Sequence, residues 1–147
     1  MTTKSLYFAL LILLFFSCQK EEVPSETALG ILGNWQIENA MTDEPVSYSL
    51  WEVQTAFSPC LKEAVFTFDQ NKKFTEIEPL NCKSSFLGLP LTGTYKINEV
   101  DSTLQVIDAT NQAFSGKLKL VDNKMLWKLT VLIENNKTPL NITFIKK

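Results

Sequence analysis

The sequence predicts an all-β protein: an eight-stranded antiparallel up-and-down barrel with a short helix or ordered loop between its first two strands. Three observations carry this. From residue 29 onward, segments rich in aromatic and β-branched residues recur eight times, most alternating apolar with polar positions. Most connections between them are short and polar, and sequential strands joined by tight turns pair as an antiparallel meander. Eight such strands are enough to close on themselves, which removes the exposed edges.

Ahead of the barrel stands a leader. Lys4 precedes an unbroken apolar run from Leu6 to Phe16, followed by Ser17 and Cys18. The run is too short to cross a bilayer as a helix, which takes about 20 residues. It fits the apolar core of a secretory signal behind a positive start. No small-x-small site for ordinary cleavage follows directly. The arrangement resembles the signal peptide of a bacterial lipoprotein, where a small residue precedes a cysteine that is lipidated and becomes the new N-terminus. The resemblance implies residues 1–17 as signal peptide, lipid on Cys18, residues 18–28 as a lipidated tether and residues 29–147 as the barrel domain. It also implies the membrane as a partner, held through that lipid. Gln19-Lys20-Glu21-Glu22 resembles the export signal of surface-exposed lipoproteins in some gram-negative bacteria. It implies an outer-membrane anchor facing outward; the alternatives are a periplasm-facing protein with a solvated charged tether, and plain secretion.

Removing residues 1–17 leaves 130 of 147 residues, one domain by length with a modest core. The balance is then 13 Lys against 16 acids, and this mildly acidic surface argues against nucleic acid as a partner. There is no His and no Arg. Without His the usual general base, the usual metal ligand and every Ser-His or Cys-His pair are missing. Without Arg there is no bidentate clamp for carboxylate or phosphate. No enzyme, metal or cofactor is expected. Glu76 and Glu78, on one face of a strand, are the acid pair a catalytic reading would need.

Within the domain, a helical turn is expected over Ser25–Leu29. The first strand is read in Asn34-Trp35-Gln36-Ile37-Glu38. Val46, Leu50, Trp51, Val53, Ala56 and Phe57 then form an imperfect helical stripe with Ser47 or Ser49 available as N-cap, a core helix or a ligand lid. Glu63–Phe68 and Phe74–Glu78 flank the turn Asp69–Lys73. Folding about Asn71 sets Phe68 opposite Phe74, Val65 opposite Ile77 and Cys60 opposite Cys82. Three cysteines would leave one unpaired in an exported protein. With Cys18 lipidated, Cys60 and Cys82 are expected to form a disulfide closing the hairpin, the alternatives being a free buried pair or a metal site. Further strands are read over Leu91–Asn98, Thr103–Ala109, Phe114–Val121 and Met125–Ile133. Glu134–Lys137 is read as a turn before a last strand lined by Leu140, Ile142 and Phe144.

Leu32-Gly33-Asn34-Trp35 resembles the opening of lipocalins and their relatives. Cys60-Leu61-Lys62-Glu63-Ala64-Val65-Phe66-Thr67-Phe68, the turn to Phe74-Thr75, Cys82 and Gly93-Thr94-Tyr95-Lys96-Ile97 follow in the order of a bacterial lipocalin-like domain found behind lipoprotein signal peptides. The resemblance covers residues 29–147 and implies an up-and-down barrel able to enclose a cavity. It implies Gly33 and Trp35 as the barrel-closing motif. In classical lipocalins an arginine near the C-terminus covers this tryptophan; here Lys146 or Lys147 would have to serve. Trp51, Phe57, Phe66, Tyr95 and Trp127 are the candidates for contact with a ligand, with Phe86 and Phe114 behind them. The apolar stretch Phe86–Pro90 is either a plug or a partner-binding tip. The expected function is a lipid-anchored envelope protein binding a small apolar or amphipathic ligand. The alternative is a filled barrel serving as a non-catalytic module for an envelope protein partner.

Overall fold

The structure, a computed structural model, describes residues 26–43, 49–79, 82, 89–133 and 136–147. The leader, Cys18 and most of the tether, together with Val46, Ser47 and Phe86, lie outside the described residues. Helix α1 (Glu26–Ile31) leads into β1 (Gly33–Thr42). Helix α2 (Leu50–Phe57) and a 3-10 helix (Pro59–Glu63) precede β2 (Val65–Phe68) and β3 (Lys73–Ile77). Then follow β4 (Thr92–Asn98), β5 (Thr103–Ile107), β6 (Ala113–Val121), β7 (Lys124–Ile133) and β8 (Asn136–Lys146). Each strand pairs antiparallel with the next, and β8 returns to β1, so the sheet is a closed eight-stranded barrel in sequence order.

The expected hairpin register holds: Phe68 faces Phe74 and Val65 faces Ile77. The turn between them is built by Asp69, whose carbonyl accepts from the Lys72 N–H and whose carboxylate accepts from the Lys73 N–H at 2.9 Å. Cys60 and Cys82 form a disulfide with Cα atoms 5.5 Å apart. Cys60, however, sits on the 3-10 helix and not on an extension of β2. Pro59 at its first turn and the C-cap at Ala64 turn Glu63 out of the expected strand. The link ties this helix to the segment after β3, closing a loop worth about 3 kcal/mol in the chain-entropy picture.

β1 runs four residues past the expected Glu38. A bulge between Ile37 and Asn39 explains why alternation seems to stop. Before it Trp35 and Ile37 point inward; after it Ala40 and Thr42 do. The extra residue shifts the inward phase by one without breaking the pairing with β8. β8 likewise starts earlier than expected, at Asn136, with Thr138 opposite Val131 and Pro139 opposite Thr130. Pro139 has no N–H to give, but its carbonyl accepts from the Asp43 N–H at 3.2 Å. β5 stops at Ile107, short of the expected Ala109. The Asp108 carboxylate captures the N–H groups of Thr110 and Gln112 at 2.8 Å each, and these bonds, the Thr110 side chain's first, hold its pKa low.

The core is made of inward side chains, among them Leu104, Val106, Met125, Leu140 and Ile142, each fully buried. Gly116 lets β6 come close to β7: a Cβ built there would stand 2.1 Å from the Lys128 carbonyl oxygen. Gly116→Ala is therefore expected to lower stability by about 1–3 kcal/mol, read as a shift in the urea midpoint of barrel unfolding. An unchanged midpoint would mean that the two strands separate freely here.

Candidate functional site

The barrel has two unlike ends. At the first, α1 packs across the opening with Ile31 fully buried. Gly33 follows at φ +118°, a backbone state that side-chain-bearing residues avoid, and turns the chain from helix into strand. That turn delivers Trp35, 1% exposed, beneath the helix. Its indole Nε1 donates to the Ile31 carbonyl at 2.7 Å, so the polar tip of the ring is satisfied by the helix it supports. Lys146, opposite Trp35 in the β1–β8 register, holds its Nζ 5.3 Å from the ring centroid. The lysine thus covers the outer side of the tryptophan, and Gly33 and Trp35 close this end.

The second end is covered by α2 and the 3-10 helix. β2 pairs only with Gly33–Trp35, leaving the rest of β1 without a strand on that side. An isolated bridge from Met41 to Ser49 and a hydrogen bond from the Gln36 side chain to the Lys62 carbonyl fill the gap. Ser49 is the N-cap: its Oγ accepts from the Glu52 N–H at 3.1 Å and donates to Asn39 Oδ1 at 3.2 Å. The helix buries Leu50 and Trp51 of the expected apolar stripe together with Thr55, which was not in it. Val53 is 47% exposed and Ala56 is exposed, because the face toward β1 is set by the cap and not by the apolar count. The Thr55 hydroxyl donates to the Trp51 carbonyl at 2.8 Å. Asp43, at the exit of β1, accepts from the side chains of Lys128 and Asn141, which lower its pKa.

Between the ends, an aromatic chain occupies the barrel. Tyr95 meets Phe68 edge-on at 5.2 Å, Phe68 meets Phe74 at 5.2 Å, Phe74 meets Phe66 at 6.2 Å, and Phe66 meets Phe144 edge-on at 5.4 Å. Two of the proposed ligand contacts, Phe66 and Tyr95, belong to this chain. The Tyr95 hydroxyl donates to the Asp69 carbonyl at 2.8 Å, and burial first, then the Asp69 charge, raise its pKa. Trp51 lies on α2 over the second end. Phe57 ends that helix, and its side chain lies outside the described residues. Trp127 points inward from β7 at 1% exposure, and its indole Nε1 has no acceptor among the described residues. Phe114 is half-buried against the core. Leu89, from the apolar stretch before β4, is buried in it.

Glu76 and Glu78, the acids the sequence placed on one face, each bury a carboxylate oxygen, but to different depths. Glu76 is an inward residue of β3, 4% exposed, whereas Glu78 lies beyond the strand end and is half-buried. Sequence reasoning missed Glu76 as an interior carboxylate; its even position between Phe74 and the end of β3 was the available signal. Among the described residues no group of His, Cys, Asp or Glu is arranged to hold a metal ion. A surface recess of about 340 Å³ is an open groove on β4–β6 bounded by Lys96, Ile97, Asp101, Gln105 and Ser115.

A family model described as a lipocalin-like domain matches residues 31–127. No curated protein and no solved structure matches. Lys146→Ala is expected to cost about 1 kcal/mol in urea unfolding through lost cation–π and stem contacts on Trp35, with Lys146→Arg near wild type. Equal loss in both variants would assign the effect to strand pairing instead.

Proposed function

The chain belongs to the lipocalin-like domain family, and from that premise we propose a lipid-anchored cell-envelope protein whose barrel binds a small amphipathic ligand. The family is in general a non-enzymatic binding fold, and a barrel of this kind suits uptake of a small hydrophobic molecule. The observation that carries the proposal is the Trp127 indole. A buried N–H without an acceptor costs about 1–3 kcal/mol, and a ligand oxygen placed against it would recover that cost. The ligand is therefore mainly apolar with one hydrogen-bond acceptor. It would enter at the α2 end, because the α1 end is closed by Trp35.

A second function, a filled barrel acting as a non-catalytic accessory of an outer-membrane assembly, is favoured by the aromatic chain from Tyr95 to Phe144. Native mass spectrometry of residues 19–147, recovered gently from the envelope of the source cells, separates the two. Ligand binding predicts an adduct that leaves on denaturation and that Trp127→Phe retains about fivefold to tenfold less well. A bare protein, still bare after exposure to a lipid and metabolite extract, would leave the filled barrel.

Anchoring rests on the Ser17-Cys18 leader, and outward display at the outer membrane on Gln19–Glu22, with the periplasmic face as alternative. Cys18→Ala is expected to abolish lipid labelling and to move the protein from the membrane to the soluble fraction. Retention in the membrane with no label would sink the lipoprotein proposal.

A further inference from the structure

We propose that the α1 end of the barrel is a docking surface for the anionic lipid headgroups of the membrane that carries the anchor. This rests on lipidation of Cys18 as proposed above. It deepens that proposal by fixing which way the barrel faces.

The lysines are unevenly placed along the barrel axis. The β2–β3 turn carries Lys72 and Lys73, and the β6–β7 hairpin carries Lys119 and Lys124. β8 ends in Lys146 beside Lys147, and Lys117 reaches the β4–β5 turn. All seven are exposed and lie toward the α1 end, Lys117 at its inner margin opposite Lys128; the exposed Lys96 stands between the two ends on β4. The acids of the α1 end are Glu26, at the start of α1, Glu38, Asp69, Glu99, Asp101 and Asp122, six against the seven lysines. Glu38 is in an ion pair with Lys124 at 2.6 Å, and Asp101 is 3.9 Å from Lys117. The Asp69 carboxylate is already engaged by the Lys73 N–H. The α2 end has the opposite balance. Its described cations are Lys62, Lys128 and Lys137, against Asp43, Glu52, Glu63, Glu76, Glu78 and Asp108. The barrel is thus an electric dipole with its positive pole at the closed end.

The path of the chain points the same way. Residues 19–25 separate Cys18 from Glu26, the first residue of α1. Fully extended they span at most about 25 Å, so the α1 end is the one held near the bilayer. Attraction between exposed charges fades beyond about 8 Å at physiological salt. A tether this short lets the lysines come within that range, while the acidic end, a strand length further along the barrel, stays outside it. The tether itself is nearly neutral, Lys20 against Glu21 and Glu22, so adhesion falls to the barrel. In this pose the α2 end faces away from the membrane, open to an arriving ligand.

The test uses residues 19–147 without lipid. The described buried core starts at Ile31, so this chain keeps the whole closed barrel. The probes are phosphatidylcholine vesicles with and without phosphatidylglycerol, sedimented at low and at physiological salt. Binding is expected on the anionic vesicles, weakening with salt. Replacing Lys72, Lys73, Lys119 and Lys147 together by Glu is expected to cut the partition at least about tenfold, with Gln at the same positions giving a smaller loss. Lys62→Glu with Lys137→Glu, at the other end, is expected to leave it within about twofold. Circular dichroism checks that each variant is folded. No preference for anionic vesicles, or equal losses from both ends, overturns the proposal. Lipid labelling of Cys18 in cells is scored separately. A labelled protein whose barrel ignores anionic vesicles overturns the docking surface and leaves the anchor; vesicle binding by a chain that is never labelled does the reverse.

Discussion

β1 and β8 stand at opposite ends of the folded chain and side by side in the sheet, paired from Trp35–Lys146 to Thr42–Leu140. Without that pairing the meander is an open sheet with two unpaired edges; with it there is none. The closure also assembles the plug. It brings Lys146 over Trp35, and it lets α1, which precedes β1, reach across to β6, where Leu120 lies against Gly30. This contact joins the chain ends, so its entropy cost is among the largest in the fold. The buried seam of Ile37, Ala40, Leu140, Ile142 and Phe144 offsets that cost.

The same closure makes the barrel lopsided. β7, β8 and β1 are ten or eleven residues long, while β2, β3 and β5 have four or five. Long strands reach both ends; short ones leave the α2 end incomplete on one side. Elements that are not strands make up the difference. α2 is held by its Ser49 cap and the bridge to Met41, and the 3-10 helix by the disulfide. The α2 end is thus built of small pieces pinned by single bonds, whereas the α1 end rests on continuous packing. Local opening costs least where buried contacts are fewest, which places it at the α2 end.

Strand existence and order were legible because inward positions repeat every second residue, and one face is buried throughout. The β2–β3 register followed from the turn residues and the symmetric placement of Phe68, Phe74, Cys60 and Cys82. What was illegible has physical causes. A bulge hides half of β1, since one extra residue exchanges the faces. Pro139 disguises the start of β8, because a proline in a strand reads as a break. The 3-10 helix took residues from β2 through Pro59 and the cap at Ala64. At the interior site, Phe66, Tyr95 and Trp127 were identified as inward aromatics, but composition cannot tell a packing ring from a contact ring. The hydroxyl of Tyr95 is spent on Asp69; the indole of Trp127 has no acceptor among the described residues. Only coordinates separate those two.

That difference bears on what the interior is for. Trp35 and Trp127 are buried to the same degree, 1% each. Trp35 gives its N–H to Ile31 and carries a cation on its ring, so every part of it serves closure. Trp127 sits opposite Leu118 and Ile142, neither of which can accept a hydrogen bond from a side chain. If β7 needed only bulk there, phenylalanine would supply it without an indole N–H to satisfy, as Phe66, Phe68, Phe74 and Phe144 do at other buried inward positions. With no acceptor among the described residues, a tryptophan in an apolar wall carries a deficit of about 1–3 kcal/mol that an acceptor would remove. A packing role leaves that deficit unexplained, whereas the acceptor of the proposed ligand would remove it; in this respect the two tryptophans differ, one satisfied by the closed end and one facing an apolar wall.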